Sequence, residues 1–290
     1  MALGTSQITT TTAAVFIPEV WSPEVLRATE SALVMAPLVK RFDALVTQKG
    51  DTIHIPNLSN LSANSKTANT QVTLQAPTET EATISINQHY EASFLVEDIA
   101  RIQSNYDLMA EYTSKAGYAI AQQVDTDLLG QYTSLTTTDV GTYGEDISDS
   151  VILQGIETLD LQDVPMEDRA FVIDPTQKTA LLLLDKFVRA DYLGNYQTPK
   201  PAATGPNSRY LWGDIYGIPT YYTNQVVTTA GTPTQLHNIL FHKEAFALAM
   251  QQAPRTQSSY ILEYVGNLVV VDVIYGFSTI RTTFGVEVRS

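Results

Sequence analysis

Apolar and polar positions change their spacing several times along this chain, and each change marks a different element. Residues 1–18 carry no charged side chain and include four consecutive threonines, Thr9 to Thr12. No apolar period runs through them, so they read as an extended arm that is ordered only against a neighbour. Ser22-Pro23-Glu24 opens a helix, with Ser22 as N-cap, Pro23 in the first turn and Glu24 complementing the dipole. Val25, Leu26, Leu33 and Val34 supply its apolar positions, and Pro37 kinks or ends it.

From Thr52 to about Phe94 the chain is polar, extended and nearly uncharged; between Pro56 and Thr78 the one charged residue is Lys66. Thr52-Ile53-His54-Ile55-Pro56 reads as a strand, residues 57–70 as a turn-rich tip, and Val72 and Leu74 as the start of a return leg. Thr83, Ser85 and Asn87 alternate with Ile84, Ile86 and Gln88. The simplest reading is a two-stranded arm with about 15 residues per leg, reaching about 50 Å. An isolated ribbon of this kind is marginal in water, so it needs a partner surface.

Next comes a helical period. Glu97 and Asp98 suit an N-terminus, and Ile102, Tyr106, Met109, Ala116, Ile120, Val124 and Leu128 recur at three- and four-residue steps. A helix from Asp98 to Tyr132 spans roughly 50 Å at 1.5 Å per residue. A heptad coiled coil is the rival, weakened by Thr113 and the Gln122-Gln123 pair. Beyond the turn at Gly141 to Asp149, helices and strands alternate. Val151 to Leu161 reads as helix and Ala170 to Ile173 as a short buried strand. Asp174-Pro175-Thr176-Gln177 is a strong helix start, with an acidic cap, Pro at the first helical position and Gln three residues after the cap. Asp191 to Arg209 reads as a long loop, Gly217 to Tyr222 as a turn into a strand, Ile239 to Phe241 as a strand, and Lys243 to Met250 as a short helix. Leu268 to Ile274 has the continuous Val/Ile character of a strand buried on both faces. Ile280 to Arg289 alternates as a half-buried final strand.

Composition narrows the function. The chain has 290 residues, 44% hydrophobic and 17% charged, which describes a folded protein with a core rather than a disordered one. The net charge is −14 and the pI about 4.6. A binder that grips nucleic acid displaces counterions with clustered Lys and Arg, and the densest pair here is Lys40-Arg41. An acidic wall that encloses DNA without gripping it is still compatible. With no cysteine, disulfides, thiolate metal sites and cysteine nucleophiles are excluded. No stretch has the length and apolarity of a transmembrane span, so no membrane role is expected. The uncharged start also disfavours a signal peptide. The 15 tyrosines suit interfaces, where apolar area and a polar tip are both useful.

Candidate chemistry is sparse. His54, His89, His237 and His242 are scattered; His237 and His242 flank a predicted strand, so a shared metal is one reading and ordinary histidines the other. Asp125 and Asp127 sit two apart on a helix and point to different faces. Glu145, Asp146 and Asp149 form an acidic turn without calcium-loop spacing. No phosphate-cradling glycine loop and no nucleophile elbow occurs. No catalytic residue, cofactor site or metal site is assigned. Lys66, near the arm tip, reads as a solubilising residue, with an inter-subunit crosslink as the alternative.

The order of these parts resembles the major capsid proteins of tailed bacteriophages, the Hong Kong 97-type fold. Phe171-Val172-Ile173-Asp174-Pro175 looks like that family's strand into its axial helix. Trp212-Gly213-Asp214-Ile215-Tyr216-Gly217-Ile218-Pro219 looks like its Gly-x-Pro strand start. The resemblance implies an α+β fold with an N-terminal arm (1–30), a helix and connection (31–49), an extended β-hairpin loop (50–92), a peripheral domain with a spine helix (93–144), an axial domain (145–261) and returning peripheral strands (262–290). It implies a non-enzymatic shell of pentamers and hexamers enclosing double-stranded phage DNA, in a virion assembled in the host bacterial cytoplasm. The candidate assembly contacts are Asn60, Asn64, Lys66, Val72 and Leu74 on the arm, and Tyr192 and Tyr196 on the long loop, which by analogy sits near a capsomer axis. Implied partners are other copies of the chain, a portal protein, a cement protein and a separate scaffolding protein. The last is expected because the sequence opens at Met1 with no extra helical segment before the arm. An encapsulin-like nanocompartment shell, and a hydrolase built on residues 145–261, are the alternatives.

Overall fold

A computed structural model of the protein describes residues 34–46, 50–59, 61–99, 108–184 and 211–290. The expected arm at residues 1–30, the helix opening at Ser22, and the Asp191–Arg209 loop with Tyr192 and Tyr196 lie outside the described residues, as does Asn60.

Two sheets carry the core. The larger holds β5 (Val140–Gly141), β13 (Gly285–Arg289), β10 (Gln235–His242), β6 (Arg169–Ile173), β8 (Ile218–Tyr222) and β7 (Leu211–Ile215), in that order, and β9 (Thr228–Thr229) pairs with β10. Its centre is apolar on both faces: Ala170 to Ile173 and Ile239 to Phe241 are all buried, as expected of strands flanked and covered on every side. Helix α3 (Asp149–Asp160) packs on it through Ile152, Gly155 and Leu159. A Cβ on Gly155 would sit 3.2 Å from the Leu240 side chain, so glycine sets this close approach. Helix α4 (Pro175–Leu182) starts at the predicted cap: the Asp174 carboxylate accepts the Thr176 N–H at 2.8 Å. The second half of the expected capping box is not made. Gln177 instead accepts the Ile147 N–H at 2.8 Å, and the Asp174 N–H donates to Asn238 Oδ1 at 2.8 Å.

The smaller sheet has the order β1 (Lys40–Arg41), β11 (Phe246–Ile261), β12 (Gly266–Thr279), β4 (Gln88–Glu97). The long helix α2 (Leu108–Leu129) lies across β4 and β12 and runs on into a 3-10 turn at Gly130–Ser134. Ala116, Ile120, Val124 and Leu128, four residues apart, form its buried stripe. Phe94 meets Tyr112 at a ring separation of 5.6 Å, and Tyr90 stacks on Tyr275 at 6.0 Å. Segment 34–36 docks on the same helix, and Phe241 and Phe246 touch edge to face at 5.3 Å, joining both sheets into one core.

Four expectations are corrected. Lys243 to Met250 is not a helix: after a turn, Phe246 begins β11, and Phe246 to Ala249 are fully buried between β1 and β12. Glu, Ala, Leu and Met favour helix locally, but four consecutive buried positions suit a central strand. The arm is paired over a shorter length than the predicted two-stranded ribbon: β2 (Thr52–Asn57) pairs with β3 (Thr80–Ser85) over six residues on each side, and Gln88–Glu97 leave it to pair with β12. On β12, Val269, Val271 and Val273 are buried while Leu268, Val270 and Ile274 are only partly covered. The final strand is the reverse case: Gly285 to Val288 are all buried, Glu287 included.

Candidate functional site: the extended arm and its root

The arm leaves the body through β2 and β3, a short antiparallel pair with Ile53 opposite Ile84. Its root is a small separate apolar cluster. Val46, at the end of α1 (Asp43–Val46), packs with Ile53, Ile84 and Ile86 over Ala247 and Ala249 of β11. Small side chains on β11 let the isoleucines approach the sheet. Gly276 on β12 does the same: a Cβ there would lie 2.4 Å from Ser85 O and 2.9 Å from Ile86 Cα. The Ile86 N–H also donates to Asp51 O at 2.7 Å, closing the base of the arm. Burying three isoleucines is worth about 1.5–3 kcal/mol each, so the arm's exit direction is fixed by packing.

Beyond Asn57 the arm has no ladder among the described residues. Side chains replace backbone pairs: Gln75 Oε1 accepts the Ser62 N–H at 3.0 Å, and Gln75 Nε2 donates back to Ser62 O. Thr70 closes the tip by donating to Thr67 O at 2.7 Å, and Asn69 takes a left-handed φ of 67° that asparagine tolerates. Leu58, Leu61, Val72 and Leu74 are all exposed, Leu74 at 86%. Asn64, Lys66 and Val72 line one open hollow of about 430 Å³ with Thr70, Gln71 and Gln75. Of the candidate contacts, the structure therefore gathers Asn64, Lys66 and Val72, and leaves Leu74 nearby but outside that hollow.

Most of the residues weighed for chemistry that are buried have structural roles. Asp125 Oδ2 accepts the N–H groups of Val34 and Met35, and Oδ1 that of Ala36. Asp127 faces the other way and accepts the Tyr275 hydroxyl at 2.5 Å. Its negative charge and the burial of the ring raise the Tyr275 hydroxyl pKa, burial being the larger effect. His237 and His242 do not converge. His237 Nδ1 pairs with Glu287 at 2.6 Å and Nε2 with Thr229 at 3.0 Å, under the stacked ring of Tyr132 at 4.2 Å. His242 Nδ1 accepts the Glu244 N–H at 3.1 Å. Among the described residues no group of three or more His, Asp or Glu is placed to hold a metal. Glu145 and Asp146 are exposed, and Asp149 accepts a hydrogen bond from Tyr216.

Sequence reasoning missed the buried His237 network. Tyr143 donates to Glu287 at 2.9 Å, and Arg289 pairs with Asp139 and Glu287. Burial and the Glu287 carboxylate push the Tyr143 hydroxyl up to about 12. Its members come from separate stretches, so local spacing carries no signal. The charge alternation of the last strand even placed Glu287 on the solvent side.

No curated protein sequence matches the chain. Among solved structures it is similar to that of Mycobacterium phage Che8, at 23% identity and a TM-score of 0.77, covering 94% of this chain and 97% of that one. It is also similar to the capsid structure of the cyanophage P-SCSP1u, at 18% identity and TM-score 0.74, covering 99% and 96%. For the asymmetric unit of the bacteriophage PhiM1 mature capsid the values are 14% and 0.72, covering 94% and 91%. The mixed helix and sheet architecture is thus the Hong Kong 97-type capsid fold. A family model for phage capsid proteins matches residues 80–286, most of the chain, so this protein belongs to the phage capsid protein family.

Proposed function

We propose that this chain is the major capsid protein of a tailed phage, that pentamers and hexamers of it form an icosahedral shell around double-stranded DNA, and that it acts without catalysis. The observation that carries the reading is the arm. Residues 58–79 expose Leu58, Leu61, Val72 and Leu74 on a segment that the other described residues leave uncovered, above a root held by packing. Such a segment gains buried surface only on a neighbouring copy. Asn60, Asn64, Lys66, Val72 and Leu74 are its proposed contacts, with Tyr192 and Tyr196 on the loop near a capsomer axis. Residues 1–30 act as a second arm, α2 as the spine of a peripheral domain, and residues 145–261 as the main axial segment.

The net charge of −14 suits a wall that does not bind the packaged DNA; a basic inner surface would contradict this. A scaffolding protein guides assembly in the host cytoplasm, a portal protein occupies one vertex, and a cement protein binds outside. The uncharged threonine-rich start favours the virus over an encapsulin-like compartment. The test replaces residues 58–79 with an Asn-Gly turn joining the paired ends Asn57 and Thr80. The expected product is a folded subunit that forms no closed shells; intact shells would remove the arm from this role.

A further inference from the structure

Two of the chain crossings between the two sheets lie side by side. One is the turn Lys243–Ala245 between β10 and β11; the other is Ile280–Phe284 between β12 and β13. They are clasped together. Ala245 O accepts the N–H groups of Ile280 at 2.8 Å and Arg281 at 3.3 Å, and the His242 N–H donates to Phe284 O at 2.9 Å. At the centre is the His242 ring, 6% exposed, meeting the edge of Phe284 at 5.6 Å.

The turn is closed by the Ala245 N–H donating to His242 O at 2.8 Å and tied to the chain before β6 by the Lys243 N–H donating to Asp168 O at 3.1 Å; the ring adds a third bond. His242 Nδ1 accepts the Glu244 backbone N–H at 3.1 Å, so Nδ1 carries a lone pair and the proton of the neutral ring sits on Nε2. A proton on Nδ1 turns the acceptor into a donor that faces another donor. We propose that His242 is an acid-sensitive clasp, whose protonation breaks the bond between the ring and the Lys243–Ala245 turn and so loosens the link between the two sheets.

The surroundings fit this role. The ring is faced by Asp168 and Arg169 from the start of β6, Glu244 from the turn and Arg281 from the second crossing. Lys243 lies in the turn, Lys40 of β1 is tied to Glu244 at 2.6 Å, and Arg41 is tied to Asp43 at 2.8 Å. Burial lowers the imidazole pKa below its ordinary 6.5; the Glu244 and Asp168 carboxylates oppose this, and Arg169 and Arg281 reinforce it. The native state thus holds a neutral ring that an unfolded chain would protonate. Its stabilisation is complete above pH 6.5 and is lost as pH falls through the lowered native value. Once charged, the ring competes with Lys40 for Glu244.

Hydrogen exchange read by peptide mass spectrometry on the full chain tests this without requiring assembly. After correction for intrinsic rates, protection across 240–248 should fall by about tenfold or more between neutral pH and pH 5. His242→Asn keeps a short acceptor that does not titrate and should remove the step. Glu244→Gln removes a carboxylate that favours the charged ring and should move the midpoint to lower pH, whereas simple loosening would lower protection at every pH. The proposal is overturned by unchanged wild-type protection across that range, by the same step in His242→Asn, or by an unmoved midpoint in Glu244→Gln; the last decides the matter alone if His242→Asn does not fold.

Discussion

The Asp125 carboxylate on α2 accepts the backbone N–H of Val34 at 2.5 Å, across 91 residues of sequence. Met35 and Ala36 donate to the same group, and the side chain is almost wholly buried. One carboxylate therefore pins the chain that emerges from residues 1–33 to the long helix. Asp125→Ala withdraws the acceptor from three backbone donors at a cost of about 3 kcal/mol. Asp125→Asn keeps one oxygen and should cost nearer 1 kcal/mol. Urea unfolding of the subunit measures both; equal losses in the two variants would contradict the role of the Asp125 carboxylate as acceptor for residues 34–36.

Acid acts on two buried carboxyls in opposite senses. Burial raises Asp125 above its ordinary 3.8, against the pull of its three N–H donors. The native state then takes up this proton before the unfolded chain does, so Asp125 does not drive acid unfolding. Burial also acts on Glu287, but hydrogen bonds from His237, Tyr143 and Arg289, with the Arg289 charge, outweigh it and hold the carboxyl below its ordinary 4.5. Its stabilisation is present above pH 4.5 and is lost as pH falls through the lowered native value. Glu287→Gln should be less stable than the parent at pH 7, and the two stability curves should converge in acid. Parallel curves would show that Glu287 does not set the acid limb.

Gly276 controls where the arm points. A side chain there meets Ser85 O and Ile86 Cα, both backbone, so the arm root has to move rather than a flexible side chain. Gly276→Val should give a folded subunit whose arm is displaced, read as faster proteolysis within residues 58–79 and a lower yield of closed particles. Unchanged cleavage and yield would mean that the root tolerates the added volume.

The exposed tip separates folding from assembly. Leu58, Leu61, Val72 and Leu74 contact little of their own chain, so their joint replacement by serine should leave the melting temperature within about 2 °C. Particle formation should be abolished. A large drop in melting temperature would show that these residues belong to the subunit core instead.

Legibility followed the range over which each signal acts. The buried stripe of α2 was readable because Ala116, Ile120, Val124 and Leu128 repeat within one element. The Asp174 cap was readable because cap and helix are adjacent. What the strand at Phe246 becomes is decided by β1 and β12, distant in sequence, and burial there overrides the helical preference of Glu-Ala-Phe-Ala-Leu-Ala-Met. The split between β3 and β4 at Ile86-Asn87 carries no Gly or Pro signal, so the two strands read as one leg. In the arm, the polar uncharged tip announced exposure, while the root cluster and Gly276 depend on contacts with β11 and β12 that no local pattern encodes.

The central claim is that this chain builds a closed shell from copies of itself. Electron microscopy of the purified full-length protein, paired with sedimentation and repeated with co-expressed neighbouring genes, tests it most directly. The account predicts closed shells or rings of five and six; a compact monomer under every condition would contradict it and reduce the arm to an ordinary hairpin.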